Sequence, residues 1–174
     1  MNVYDNFLDP NEFANLFNYF HSDKVEWNHV DHVVYPGDGH QFYCNVCYSN
    51  LRVKNQDMFK ELSPIISKID PLALFRIKAN LSYKEDPSKI EIESQYHTDE
   101  DSYCIPGAEM KTGIYYVTTN NGATIFRDGT RVDSVANRLL TFPCHMVHAP
   151  IPHTDDSGNR IVINFNYFHS RRGL

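Results

Sequence analysis

From residue 74 onward, the apolar side chains of this chain recur with a period of two, in short runs separated by turn residues. Such a pattern belongs to strands with one buried face. Leu74 to Tyr83, Thr112 to Thr119, Ala123 to Arg127, Thr130 to Ser134, Arg138 to Phe142 and Asn159 to Phe168 read as strands. Asp128-Gly129 marks a hairpin between two of them, and Asn120-Asn121-Gly122 ends another. Many short strands at close spacing predict a β-sandwich or barrel.

The first 73 residues read differently. Asp9-Pro10 followed by Glu12 predicts a capped helix start, with Phe13, Leu16, Phe17 and Phe20 on one face. Residues 51–69 predict a second helix, with Met58, Phe59, Leu62, Ile65, Ile66 and Ile69 as its apolar stripe and Pro64 bending or interrupting it. Residues 25–50 predict short strands around a Pro36-Gly37-Asp38-Gly39 turn. The 174 residues therefore read as one domain, a mostly β fold with N-terminal helices. Residues 1–73 support a barrel core of residues 74–168.

Charge and cysteines narrow the function. A net charge of −6 disfavours a nucleic-acid partner. No apolar run approaches the ~20 residues of a membrane span, and Met1 to Pro10 lacks the pattern of a signal peptide. The four cysteines then read as reduced thiols of a cytoplasmic protein. Cys44-Asn45-Val46-Cys47 is a CxxC without a second pair, better read as small half-buried strand residues than as a zinc site. Cys104 and Cys144 stand alone.

The chemistry concentrates in His97-Thr98-Asp99, His148 and Arg160. An HxD alone is weak, and a surface turn is its bland alternative. At a strand end, however, residues two apart can point to one face. His148 follows the strand Leu139-Leu140-Thr141-Phe142 and Arg160 opens the next, so a barrel can bring all of them to one mouth. Two histidines and a carboxylate form the triad that holds non-haem Fe(II) with open positions. A buried arginine there requires an anion, and a bidentate carboxylate satisfies it. The alternative is a surface ion pair with Asp155 or Asp156. His145 and His153 compete with His148 as the second histidine. His148 is preferred because it lies on the strand side of the loop, which leaves the other two as solvent-exposed loop histidines.

Residues 75–168 resemble the 2-oxoglutarate/Fe(II) dioxygenases, within them the prolyl-4-hydroxylase-like branch. Gly113-Ile114-Tyr115-Tyr116-Val117 resembles the family's I-Y-Y-L strand, and Gly122-Ala123-Thr124-Ile125-Phe126 its G-A-T-V-F strand. The run Arg160 to Phe168 resembles the last barrel strand, which begins with the co-substrate arginine. The whole pattern is most similar to compact members encoded by marine phages. The resemblance implies a double-stranded β-helix, the jelly-roll or cupin-like barrel. It implies Fe(II) on His97, Asp99 and His148, O2 as oxidant, and 2-oxoglutarate as co-substrate. The far carboxylate of 2-oxoglutarate would meet Arg160 and Tyr116, with Thr124 in the same binding set.

It implies hydroxylation of a substrate as 2-oxoglutarate is decarboxylated to succinate. Candidate substrates are a prolyl or other side chain of a protein or peptide, or else a free amino acid, small metabolite or modified base. A third class is a non-catalytic metal-binding jelly roll. One departure stands out: Ala79-Asn80-Leu81 matches a segment whose tyrosine lines the co-substrate pocket, and here the position is Leu81. Tyr83 replaces it only if the register shifts. Residues 84–96 take the place of the branch's lid and carry Glu85, Asp86, Glu91 and Glu93 against Lys84 and Lys89. An acidic lid suits a basic or neutral peptide, and a plain solvated loop is the alternative. Trp27 and Tyr103 are candidates for the entrance.

Overall fold

The computed structural model describes residues 1–31, 42–99 and 108–170. Its helices are α1 (Pro10–Phe20), α2 (Gln56–Glu61) and α3 (Ser63–Ile69). Its strands are β1 (Asn2–Tyr4), β2 (Asn28–Val30), β3 (Phe42–Ser49), β4 (Arg52–Val53), β5 (Ala73–Ser82) and β6 (Ala108–Tyr116), then β7 (Ala123–Phe126), β8 (Arg131–Asp133), β9 (Arg138–Pro143), β10 (His148–Ile151) and β11 (Arg160–Ser170). A large sheet runs β1-β9-β6-β11-β5-β3-β2, with β4 against β3, and a small one runs β10-β7-β8. Every pairing is antiparallel. The two sheets form a jelly roll with helices on the outer face of the large one.

The large sheet sorts its side chains by parity. Ile77, Ala79 and Leu81 of β5 and Ile161, Ile163 and Phe165 of β11 join one core cluster with Leu16, Phe20, Met58, Leu62 and Ile65 of the helical layer. Full burial of such a side chain stabilises by ~1.5–3 kcal/mol. The opposite face carries Arg76, Lys78, Asn80 and Ser82 on β5 and Arg160, Val162 and Asn164 on β11, which line a cavity. That parity corrects one expectation. Leu81 belongs to the helix-facing core, so a side chain there cannot reach the cavity, and Ser82 takes that place. Tyr83 is 55% exposed and does not replace it.

α1 starts as expected: Asp9 accepts from Asn11 N and Glu12 N, and Glu12 accepts from Asp9 N in return. The second helix does not. Asn50 and Leu51 have φ of 52° and 59° and turn β3 into β4, so residues 51–55 are not helical. Asn55 caps α2 by accepting from Met58 N. The remainder divides at Leu62, because Pro64 has no N–H and fits only in the first turn of α3. The expected apolar stripe survives the break, with Met58, Leu62, Ile65 and Ile69 all buried.

Candidate metal centre and cavity

His97 and His148 face each other across a two-residue antiparallel bridge, His97 N donating to His148 O at 2.9 Å and His148 N to His97 O at 3.0 Å. Their ring centroids are 4.6 Å apart. Each Nδ1 meets a carbonyl two residues upstream, Gln95 O at 2.7 Å and Met146 O at 3.0 Å. A carbonyl only accepts, so Nδ1 carries the hydrogen and Nε2 of the neutral ring keeps its lone pair for a metal. Burial lowers the proton affinity of His148; the Asp99 charge opposes it without reversing it. This favours the neutral, ligating form.

Asp99 completes the group. Ligand-capable atoms of His97, Asp99 and His148 all lie within 4.8 Å of one another, the one such cluster among the described residues. The Asp99 side chain is only 4% exposed. Burial raises its proton affinity most, but nearby His148, the Thr112 hydrogen bond, His97 and Arg76 together hold it below the usual carboxylate range. Thr112 Oγ1 donates to Oδ2 at 2.5 Å, Asn166 Nδ2 donates to the same oxygen at 3.0 Å, and Arg76 Nη2 stands 3.7 Å from Oδ1. Arg76 Nε also donates to Asn166 Oδ1 at 3.1 Å. Sequence reasoning passed over Thr112, Asn166 and Arg76. Their signal is a polar residue at cavity-facing parity in an otherwise apolar strand. Two imidazoles and a carboxylate suit a divalent first-row metal, Fe(II) among them.

A cavity of about 370 Å³ lies between the sheets, with this cluster in one part of its lining and Arg160 in another. Arg160 is 6% exposed; Nη2 donates to Ala123 O at 3.3 Å and Nε is buried without a partner. The proposed ion pair does not form. Asp155 accepts from Asn121 N and Ser157 Oγ, and Asp156 pairs with Lys84 at 2.6 Å. Gly122 makes room for Arg160: a Cβ there would lie 3.0 Å from Arg160 Cδ, 2.9 Å from Ile151 O and 2.8 Å from Asn120 Oδ1. Thr124 lines the cavity, and Tyr116 stands behind it, its hydroxyl 2.7 Å from Thr124 Oγ1 and its ring 6.0 Å from the guanidinium carbon. Burial raises the Tyr116 pKa and keeps the phenol protonated. A bound carboxylate would supply the acceptor that Arg160 Nε lacks.

The other expected features divide. His148 is buried on β10 rather than in a loop, and His145 is exposed. His153, expected in solvent, is fully buried. Residues 84–96 form two 3-10 turns, Pro87–Lys89 and Glu93–Gln95, the second packed against β10. Glu93 pairs with Arg127 at 2.6 Å, Asp86 caps the first turn by accepting from Ser88 N, and Asp86, Glu91 and Glu93 are exposed. Trp27 packs beside Phe20 at 6.3 Å against the core and does not line the entrance. Cys44 and Cys47 are free thiols, and burial pushes the Cys47 pKa up to about 12, the opposite of a metal-binding thiolate. The Pro36 to Gly39 turn, Tyr103 and Cys104 lie outside the described residues.

No protein-family model matches the chain, and no curated protein sequence does. Solved structures do. A 2OG-Fe(II) oxygenase family oxidoreductase from Burkholderia pseudomallei is 12% identical with a TM-score of 0.65, over 95% of this chain and 83% of that one. A prolyl-4-hydroxylase from Pseudomonas putida is 13% identical with a TM-score of 0.61, over 98% and 92%. HygX from Streptomyces hygroscopicus, solved with nickel and 2-oxoglutarate bound, is 11% identical with a TM-score of 0.58, over 98% and 82%. At these identities the likeness establishes the fold alone, a jelly roll. Among the described residues, no helix is long and apolar enough to cross a membrane.

Proposed function

We propose that the protein is a 2-oxoglutarate- and Fe(II)-dependent dioxygenase that hydroxylates a prolyl or other side chain of a protein or peptide. The observation that carries the reading is Arg160. It is a buried guanidinium with an unpartnered Nε, and it lines the same cavity as a cluster of two histidines and a carboxylate. His97, Asp99 and His148 would hold the metal. Fe(II), when bound, supplies O2 activation coupled to decarboxylation of 2-oxoglutarate.

The chain's own residues orient and exclude. Gln95 O and Met146 O fix the histidine tautomers, and Thr112 and Asn166 aim the Asp99 carboxylate. Arg160 would receive the far carboxylate of 2-oxoglutarate, with Thr124 beside it and Tyr116 orienting the Thr124 hydroxyl. Ile114 and Val162 keep one cavity wall apolar and limit water at the oxidising centre.

The test is an anaerobic titration of Fe(II)-loaded protein with 2-oxoglutarate, following the visible charge-transfer band, and then succinate release on adding O2. Wild type should show both, and Arg160→Ala should lose the band at concentrations that saturate wild type. A wild type that binds Fe(II) but gives no band would overturn the reading and leave a non-catalytic metal-binding jelly roll.

A further inference from the structure

The cavity face of the large sheet is laid out in rows set by strand register. Arg76, Asn166 and Thr112 form the row that backs Asp99. Lys78, Asn164 and Ile114 form the next, then Asn80, Val162 and Tyr116, then Ser82 and Arg160. Successive rows are roughly 7 Å apart, two residues of strand rise. Lys78 thus stands between the row of the metal cluster and the row of Arg160.

Five charged groups line this cavity: Arg76, Lys78, Arg160, Glu85 and Asp99. Arg76 is committed to Asp99 and Asn166. Lys78 is not committed to any acid: its Nζ lies 5.2 Å over the Phe42 ring, and among the described residues no carboxylate comes within ion-pair distance of it. A ring face attracts the charge but leaves the ammonium's three donors unused. Burial lowers the proton affinity of Lys78 first of all, Arg76 adds to this, and Cys44 and Asp99 oppose it. Asn80 and Asn164, its neighbours on β5 and β11, each keep a buried amide oxygen without a donor. The middle of the cavity is therefore polar and incomplete, as a ligand site is and a packed interior is not.

We propose that Lys78 is a second carboxylate-binding station in this cavity, placed between the metal cluster and Arg160. The carboxylate has two possible sources, the keto-acid end of 2-oxoglutarate or the substrate itself, and only the first rests on the function proposed above. From either source, the cavity selects an anion where an acidic lid would have selected a cation.

The experiment compares wild type, Lys78→Met, Lys78→Arg and Arg160→Met, all Fe(II)-loaded and anaerobic, by calorimetry. The probes are 2-oxoglutarate and 2-oxobutyrate, which keeps the keto-acid end but lacks the far carboxylate. Acetate is then titrated into protein saturated with 2-oxoglutarate. Met keeps the stem over Phe42, and retained Fe(II) binding shows that the variant is folded. If the keto-acid end is the source, Lys78→Met weakens both oxoacids tenfold or more and Lys78→Arg restores part of that. Arg160→Met then weakens 2-oxoglutarate alone. If the substrate is the source, Lys78→Met leaves both oxoacids unchanged but abolishes an acetate site present in wild type. Unchanged oxoacid binding together with acetate binding that is absent from wild type or unaltered in Lys78→Met overturns the proposal. Should 2-oxoglutarate fail to bind wild type, the proposed function fails, and acetate titrated into the metal-loaded protein still tests Lys78.

Discussion

The metal cluster and the arginine are built on opposite plans. At the cluster every side chain is held before any ligand arrives: His97 by Gln95, His148 by Met146, Asp99 by Thr112, Asn166 and Arg76. Arg160 has one long contact to Ala123 O and a buried Nε with nothing to bond. The cluster can satisfy itself because histidines and carboxylates accept ordinary backbone and side-chain partners. A buried guanidinium has no such substitute when no acid stands near. One site is preorganised by its neighbours, and the other is left open by them.

Removing a ligand from the organised site should have the largest effect. Asp99→Ala and His148→Ala should abolish tight Fe(II) binding in an anaerobic titration, whereas His145→Ala, at an exposed position, should not. A dead His145→Ala would break the assignment. Arg160→Met should weaken 2-oxoglutarate by ~2–5 kcal/mol, roughly 30-fold or more at about 1.4 kcal/mol per tenfold, with Fe(II) affinity unchanged. Its ligand-free melting temperature should hold or rise, because an apolar side chain replaces an uncompensated charge. A clear drop in melting temperature would mean that Arg160 is structural and that the two sites are less different than described.

Smaller changes probe the supports. Gly122→Ala forces a methyl against Arg160 Cδ and two oxygens, and overpacking of this kind costs ~1–3 kcal/mol. It should weaken 2-oxoglutarate more than Fe(II), and equal losses in the two titrations would count against a local effect on Arg160. Tyr116→Phe removes one neutral hydrogen bond, to Thr124, and should cost ~0.5–1.5 kcal/mol in 2-oxoglutarate binding. Acidification sharpens the other side of the contrast. Both His148 and Asp99 hold protons less readily folded than unfolded. The unfolded chain is protonated first, so metal-free stability should fall below pH ~6.5 for His148, and again below ~3.9 for Asp99. Melting curves of His148→Gln should lack the first decline.

The long strands were legible because their alternation is strong: β5, β9 and β11 lie close to where period two put them, while β6 keeps only the Thr112 to Tyr116 part of its expected span and begins at Ala108. β10 was not. It has four residues, contains Pro150 and forms the edge of the small sheet, where proline is tolerated and no alternation can build up. Residues 51–55 misled because Leu51 continues a helical apolar pattern yet sits at positive φ in a turn. Leu81 was misplaced by one residue of register, which in a strand exchanges the two faces. At the site, the three metal-binding candidates and Arg160 were visible as a motif, while Asn166 and Arg76 were not. Asn166 reaches Asp99 across 67 residues of chain, a contact that only strand order creates.

That order also bears on how the molecule can be made. β11, the last strand described, lies in the middle of the large sheet, between β5 and β6. A ribosome delivers β1, β9 and β6 on one side and β5, β3 and β2 on the other well before the strand that joins them. Until it arrives, β5 and β6 present bare edges of the kind that capture other chains. The pairings that β11 makes are long-range, Arg160 with Ser82 and Val162 with Tyr116 among them, the slow kind of contact to form. Asn166 and Arg160 come with the same strand, so the finished metal cradle and the anion pocket appear together, after synthesis has passed residue 166. Loss of the chain from residue 160 onward would therefore remove both Arg160 and the Asn166 support of Asp99 and leave the edges of β5 and β6 bare, an aggregation hazard.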